Sequence, residues 1–145
     1  MSGANYYFVD ANVWIYAITH SEDTPSDQRH EVARALLAGI NPCLSLQVVN
    51  EVSVNLIRKF KFTEAGIQTL IRSFYQNYAI CPMDVGTLLE ASALRERYSL
   101  SFWDSMIVST AMQYQCPILY TEEMSKGLVI NDSLMIINPF DSIEN

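Results

Sequence analysis

The sequence predicts an α/β domain with a mainly parallel sheet of about five strands, and three observations carry that prediction. Short runs of β-forming residues alternate with longer stretches whose apolar residues recur at three-and-four spacing. The short runs are apolar at successive positions rather than alternate ones, as expected of strands covered on both faces. The chain has 145 residues, half of them hydrophobic, which suits one domain over its whole length with one core and no cross-links.

In chain order, Tyr6-Tyr7-Phe8-Val9 is the first strand, ended by Asp10. Asn12 to Thr19 is a short helix with Val13, Ile15, Tyr16 and Ala17 apolar, and His20 to Ser26, with Pro25, is a polar turn. Asp27 to Ala38 sets Val32, Ala35 and Leu36 on one helical face and stops at Gly39. Cys43-Leu44-Ser45 is the second strand, and Leu46 to Phe60 follows as a helix through Val48, Val49, Val52, Leu56 and Phe60. Thr63 caps a helix running to Tyr75, and Tyr78-Ala79-Ile80 is the third strand. Val85 to Arg97 and Phe102 to Tyr114 are helices, the latter opened by Ser101. Pro117-Ile118-Leu119-Tyr120 and Leu134-Met135-Ile136-Ile137 are the last two strands, and residues from about Asp141 to Asn145 read as a free tail.

Composition narrows the function. Net charge is −7, so the overall field does not attract nucleic acid, although divalent cations bound to an acidic site remove that objection locally. No signal peptide or membrane-length apolar run is legible, and a soluble, cytoplasmic protein is the expectation. Cys43, Cys81 and Cys116 lack zinc-knuckle or redox spacing and read as small buried thiols. There is no Gly-rich phosphate loop, and His20 and His30 read as surface residues. Arg58-Lys59-Phe60-Lys61 reads as a solvated helix end more readily than as an RNA contact, and Trp14 and Trp103 read as core, with Trp103 placed to wall a site at Asp104.

The acids carry the chemistry. Asp10 ends the first strand, Glu51 lies early in the helix after the second, Asp104 sits in the first turn of the Ser101 helix, and Glu122-Glu123 follows the fourth strand. In a parallel sheet these positions share one edge, where ligands bind. Each acid has a plainer reading: a turn residue for Asp10, a solvated side chain for Glu51 or the Glu122-Glu123 pair, and a capping box for Ser101-Phe102-Trp103-Asp104. Their joint placement favours a site, and gathered carboxylates call for a hard cation such as Mg²⁺ or Mn²⁺.

The same residues resemble a known family. Phe8-Val9-Asp10-Ala11-Asn12, the stretch Ser45 to Val52 ending on Glu51, Ser101-Phe102-Trp103-Asp104-Ser105-Met106-Ile107, and Leu119-Tyr120-Thr121-Glu122-Glu123 are similar, in order, to the four motifs of PIN domains. The resemblance runs from Tyr6 to about Phe140 and is nearest to VapC-type toxins of toxin–antitoxin pairs. It implies a three-layer α/β/α domain and a metal-dependent endoribonuclease. Asp10, Asp104 and Glu123 would hold the metal, with Glu51 direct or through water. The family's last acid is usually Asp two residues after the Thr; here Glu123 holds that place, with Glu122 as the alternative. The resemblance also implies a small antitoxin partner with a basic arm, and a homodimer, for which the apolar helices spanning Leu56 to Tyr75 are the expected surface. The rivals are a Mg²⁺-dependent phosphatase or phosphotransferase, for which Asp10-Ala11-Asn12 lacks the second acid, and a non-catalytic binding protein on the same fold.

Overall fold

The computed structural model describes residues 5–19, 28–124 and 127–144. The chain order is β1 (Tyr7–Val9), α1 (Ala11–Ile18), α2 (Arg29–Gly39), β2 (Pro42–Ser45), α3 (Leu46–Phe60), α4 (Glu64–Asn77), β3 (Ala79–Cys81), α5 (Val85–Arg97), α6 (Phe102–Gln113), β4 (Ile118–Tyr120), β5 (Val129–Ile130), β6 (Leu134–Ile137) and α7 (Asp141–Glu144). The turn expected at residues 20–26, with His20, lies outside the described residues.

The strands form one sheet in the order β3-β2-β1-β4-β6-β5, parallel except for the antiparallel β5–β6 pair. All four residues of β2 are buried, so both faces of the sheet are covered there. The helices pack in two sets: α1 with α2 and α3, and α3 with α4, in one; α5 with α6 in the other. The three-layer α/β/α expectation describes this arrangement, with one strand more than the five expected. The extra strand, β5, is two residues long and turns into β6 through Asn131 and Asp132, whose φ angles of 49° and 58° are left-handed.

The topology creates a switch point. From β1 the chain builds β2 and β3 on one side, then returns to place β4 on the other side of β1. The carboxyl ends of β1 and β4 therefore flank the crevice where parallel sheets bind ligands. Local chemistry fixes the helices that start there. Ser45 caps α3 by accepting from Val48 N–H, and Ser101 caps α6 by accepting from Asp104 N–H.

The core runs through Phe8, Val9, Val13, Leu44, Val48, Leu119, Leu134, Ile136 and Phe140. Trp14 is buried as expected, edge-on to Phe74 and Tyr78, with its indole N–H donating to the Val9 carbonyl at 3.0 Å. Trp103 departs from expectation, with 62% of its surface exposed. The expected tail also departs: Asp141–Glu144 is a helical turn, and Ile143 packs on the core. All three cysteines are buried, and Cys43 and Cys116, distant in sequence, meet with their sulfurs 3.5 Å apart. Hydrogen bonding to Cys116 and Cys81, with burial, holds the Cys43 thiol far above its ordinary range. Among the described residues no helix is long and apolar enough to cross a membrane.

Candidate active site

Asp10 leaves β1 in extended conformation and caps α1. One carboxylate oxygen accepts from the Ala11 N–H at 2.8 Å and the other from the Thr121 hydroxyl at 2.9 Å. The side chain is buried, and that burial pushes its pKa up to about 6. The Ala11 and Thr121 hydrogen bonds oppose the shift, while the charges of Glu51 and Glu123 add to it.

Thr121, at the end of β4, organises the crevice from the other side. Its hydroxyl donates to Asp10 and accepts from Asn12 Nδ2 at 3.3 Å and from the Glu123 N–H at 3.2 Å. One donor and two acceptor positions are thus all used, in a fully buried residue. Asn12 completes the clamp, its side-chain oxygen accepting from the Glu122 N–H at 3.1 Å. The loop after β4 is therefore held to the start of α1 at two successive residues.

The two glutamates of that loop differ in their commitments. Glu122 accepts from the Tyr16 hydroxyl at 2.9 Å and from Arg29 Nε at 2.7 Å, and the Arg29 guanidinium also lies 5.8 Å from the Tyr16 and Phe140 rings. Glu123 is exposed, and its carboxylate makes no hydrogen bond with the described residues.

A cleft of about 280 Å³ opens over these groups, lined by Asp10, Asn12, Tyr16, Glu51, Asn55, Lys59, Phe60, Glu122 and Glu123 among others. Glu51, Asn55 and Lys59 recur every four residues along α3 and so share one face of the helix. Glu51 is half-buried and accepts from Gln47 Nε2 at 3.1 Å.

Asp104 stands beside this cluster rather than in it. It is half-buried in the first turn of α6, outside the cleft lining. Its N–H donates to the Ser101 hydroxyl, but the other half of the expected capping box is absent, since its carboxylate makes no hydrogen bond or ion pair with the described residues. The link to the cleft is Gln47, whose Nε2 also donates to the Trp103 carbonyl at 3.4 Å. The structure thus brings together Asp10, Glu51 and Glu123 with Glu122, and sets Asp104 one helix away.

Among the described residues no group of three Asp, Glu, His or Cys side chains is gathered tightly enough to hold a metal ion by itself. The donor set nevertheless suits a hydrated hard cation, since Mg²⁺ is commonly bound through one or two carboxylates while it keeps several waters. Asp10, raised chiefly by burial and further by the charges of Glu51 and Glu123, is a carboxyl that a bound cation would help to ionise.

Some participants were not singled out by the sequence alone. Lys59 and Phe60 belong to the basic run read as a solvated helix end, yet both line the cleft, and the four-residue step from Glu51 is the signal that marks Lys59. His30, expected on the surface, is half-buried with its Nδ1 2.8 Å from the Tyr16 carbonyl oxygen. Tyr16 and Arg29 carry no sequence signal, because their partner Glu122 lies on another element, and for Gln47 only the four-residue step to Glu51 is readable, not the Trp103 carbonyl.

A family model described as PIN domain matches residues 7–124. The chain belongs to the PIN domain family. The matched span begins at β1 and ends just after Glu123, so it contains every acid discussed above. Solved structures share the PIN fold. A toxin–antitoxin complex from Klebsiella pneumoniae aligns with a TM-score of 0.69 at 18% identity, covering 92% of this chain and 97% of that one. VapC20 of Mycobacterium tuberculosis, a toxin that cleaves the sarcin–ricin loop, aligns with a TM-score of 0.62 at 18% identity over 78% of this chain and 86% of that one. VapBC2 of Rickettsia felis, bound to a DNA fragment from its promoter, gives 0.62 and 18% over 92% and 99%. At such identities the likeness is one of fold. No curated protein matches.

Proposed function

We propose that this PIN domain protein is a metal-dependent endoribonuclease and the toxin of a toxin–antitoxin pair. The observation that carries the reading is the convergence of Asp10, Glu51 and Glu123 on one cleft at the switch point of the sheet. Asp10 and Glu123 would hold Mg²⁺ or Mn²⁺, with Glu51 and Asp104 direct or through water. A cation bound there supplies Lewis-acid activation of water and neutralises charge on the phosphate. The chain does the rest. Thr121 and the Ala11 N–H fix the Asp10 carboxylate, and Asn12 holds the loop that presents Glu123. Lys59 lines the cleft and would supply the positive charge for an RNA phosphate. Glu122, already paired with Arg29 and Tyr16, serves the loop rather than the metal.

The phosphatase reading has less support. Its second acid would occupy position 12, where an Asn uses both ends of its amide to clamp the β4 loop. The toxin–antitoxin assignment is supported by the fold shared with proteins solved as such complexes. An acidic cleft suits a basic antitoxin arm. A cytoplasmic location and a homodimer belong to the same proposal. The dimer surface on α3 and α4 is reduced, because Leu56, Ile67 and Phe74 are spent on the core while Ile57, Phe60 and Tyr75 remain exposed.

The test is cleavage of structured RNA with Mn²⁺ or Mg²⁺ and with chelator, followed by sequencing of the new ends. Discrete metal-dependent cuts, absent from an Asp10→Asn protein and without turnover of a small phosphate ester, are expected. Ester hydrolysis without RNA cleavage would reverse the assignment.

A further inference from the structure

Gln47 spans the gap between the acid cleft and Asp104. It lies in the first turn of α3, four residues before Glu51. The two N–H bonds of its single Nε2 are directed at two acceptors, the Glu51 carboxylate at 3.1 Å and the Trp103 carbonyl at 3.4 Å. Both partners only accept, so the amide orientation is fixed: turning it over would set oxygen against oxygen. The cost appears at the other end, where Gln47 Oε1 is buried without a hydrogen-bond partner, the one such side-chain atom among the described residues. Nearly all buried polar atoms in folded proteins are paired, so one left unpaired calls for a compensating use of the group.

We infer that Gln47 is a positioning residue, resting on the metal-dependent reading above: one amide nitrogen aims Glu51 into the cleft and fixes the first turn of α6, and so Asp104, relative to it. Among the described residues no other side-chain hydrogen bond joins α3 to α6, so without this bridge the acid on α6 keeps only its place in the helix. The role explains the unpaired oxygen. A residue of equal volume without polar atoms would suit the packing as well or better, but would leave both acids unregistered.

Mn²⁺ binding by calorimetry and by loss of the free-ion paramagnetic resonance signal tests this on the whole protein, with melting in chelator as the control for folding. Q47M keeps the shape and removes the amide. It should melt at the wild-type temperature or above, yet bind Mn²⁺ about tenfold more weakly, the size of effect typical of groups that orient metal ligands. In an E51Q background the same change should cost clearly less, because its route through Glu51 is already cut and only that through α6 remains. Unchanged Mn²⁺ affinity in Q47M, or an equal loss in both backgrounds, overturns the inference. If Q47M melts early, Q47L replaces it, and early melting of both assigns Gln47 to stability alone and also overturns it. Wild-type protein that binds no Mn²⁺, or binds it undiminished after Asp10→Asn, overturns the metal reading itself. Wild-type binding lost in Asp10→Asn but kept in Q47M removes only the role of Gln47.

Discussion

The two ends of the parallel sheet each bury titratable groups, with opposite results. Toward the strand entrances, Cys43 meets Cys116 beneath the aromatic pair Tyr6 and Tyr114, and the thiols satisfy one another. Their ionisation is suppressed by burial and mutual hydrogen bonding, so that region is chemically quiet. At the strand exits, Asp10 is equally enclosed but receives two donors and faces Glu51 and Glu123 across an open cleft. Burial alone therefore does not make a site. What distinguishes the exits is a group still able to ionise, placed among like charges, with a path to solvent.

The largest expected effect is at the exits. Asp10→Asn keeps shape and cap but removes a charge, and RNA cleavage should fall by more than ~100-fold, above the range for groups that merely orient a ligand. Gel-based cleavage rates at saturating Mn²⁺ measure this, and a rate near wild type removes Asp10 from the chemistry.

A second expectation concerns pH. The folded pKa of Asp10 is raised from the ordinary value of 3.8 to about 6, so the folded state favours the protonated acid. This contribution to stability is fully present below about pH 4 and is lost as pH rises through about 6, roughly 2–3 kcal/mol in all. In chelator, the wild type should lose stability across that window more steeply than Asp10→Asn, as followed by urea melts. Parallel pH curves for the two proteins would show that the acid is not strained at neutral pH.

The adjacent glutamates sharpen the contrast within the exits. Glu123→Gln should reduce cleavage ~10-fold or more with little change in melting. Glu122→Gln should weaken the bonds that residue 122 accepts from Arg29 and Tyr16, lower stability by ~1 kcal/mol and affect cleavage less. The reverse order in cleavage assays would move the metal ligand by one residue.

The smallest effect on chemistry belongs to the entrances. Cys43→Ala should cost ~1 kcal/mol of stability through lost packing and leave Mn²⁺ affinity unchanged. A change in affinity would mean that the two ends of the sheet communicate.

Much of this was legible because the fold writes it locally. Asp10 after Phe8-Val9, Glu123 two residues after Thr121, and the apolar face of α3 each follow from a few consecutive residues. What stayed hidden depends on contacts between distant segments. Nothing near residue 122 announces that Arg29 and Tyr16 will occupy its carboxylate, and nothing near Gln47 announces the Trp103 carbonyl. β5 escaped because a two-residue strand has no periodicity, although Asn131-Asp132 offered a turn signal. Trp103 reads as core because an aromatic beside an apolar helix has that pattern, whereas the start of α6 faces solvent. The last residues read as a free tail because a single apolar residue, Ile143, gives no pattern, yet it suffices to dock a helical turn.

The hydroxyl of Thr121 reaches the carboxylate of Asp10 across 111 positions of chain. β4, which carries it, pairs directly with β1, the earliest strand. During synthesis the amino-terminal acid emerges long before its partner, and the intervening helices can pack while the neighbouring slot in the sheet stands empty. The cleft is therefore completed only after β4 has been made and has docked beside β1. On the nuclease reading proposed above, a chain cut short before β4 would lack Thr121 and both cleft glutamates and should cleave no RNA.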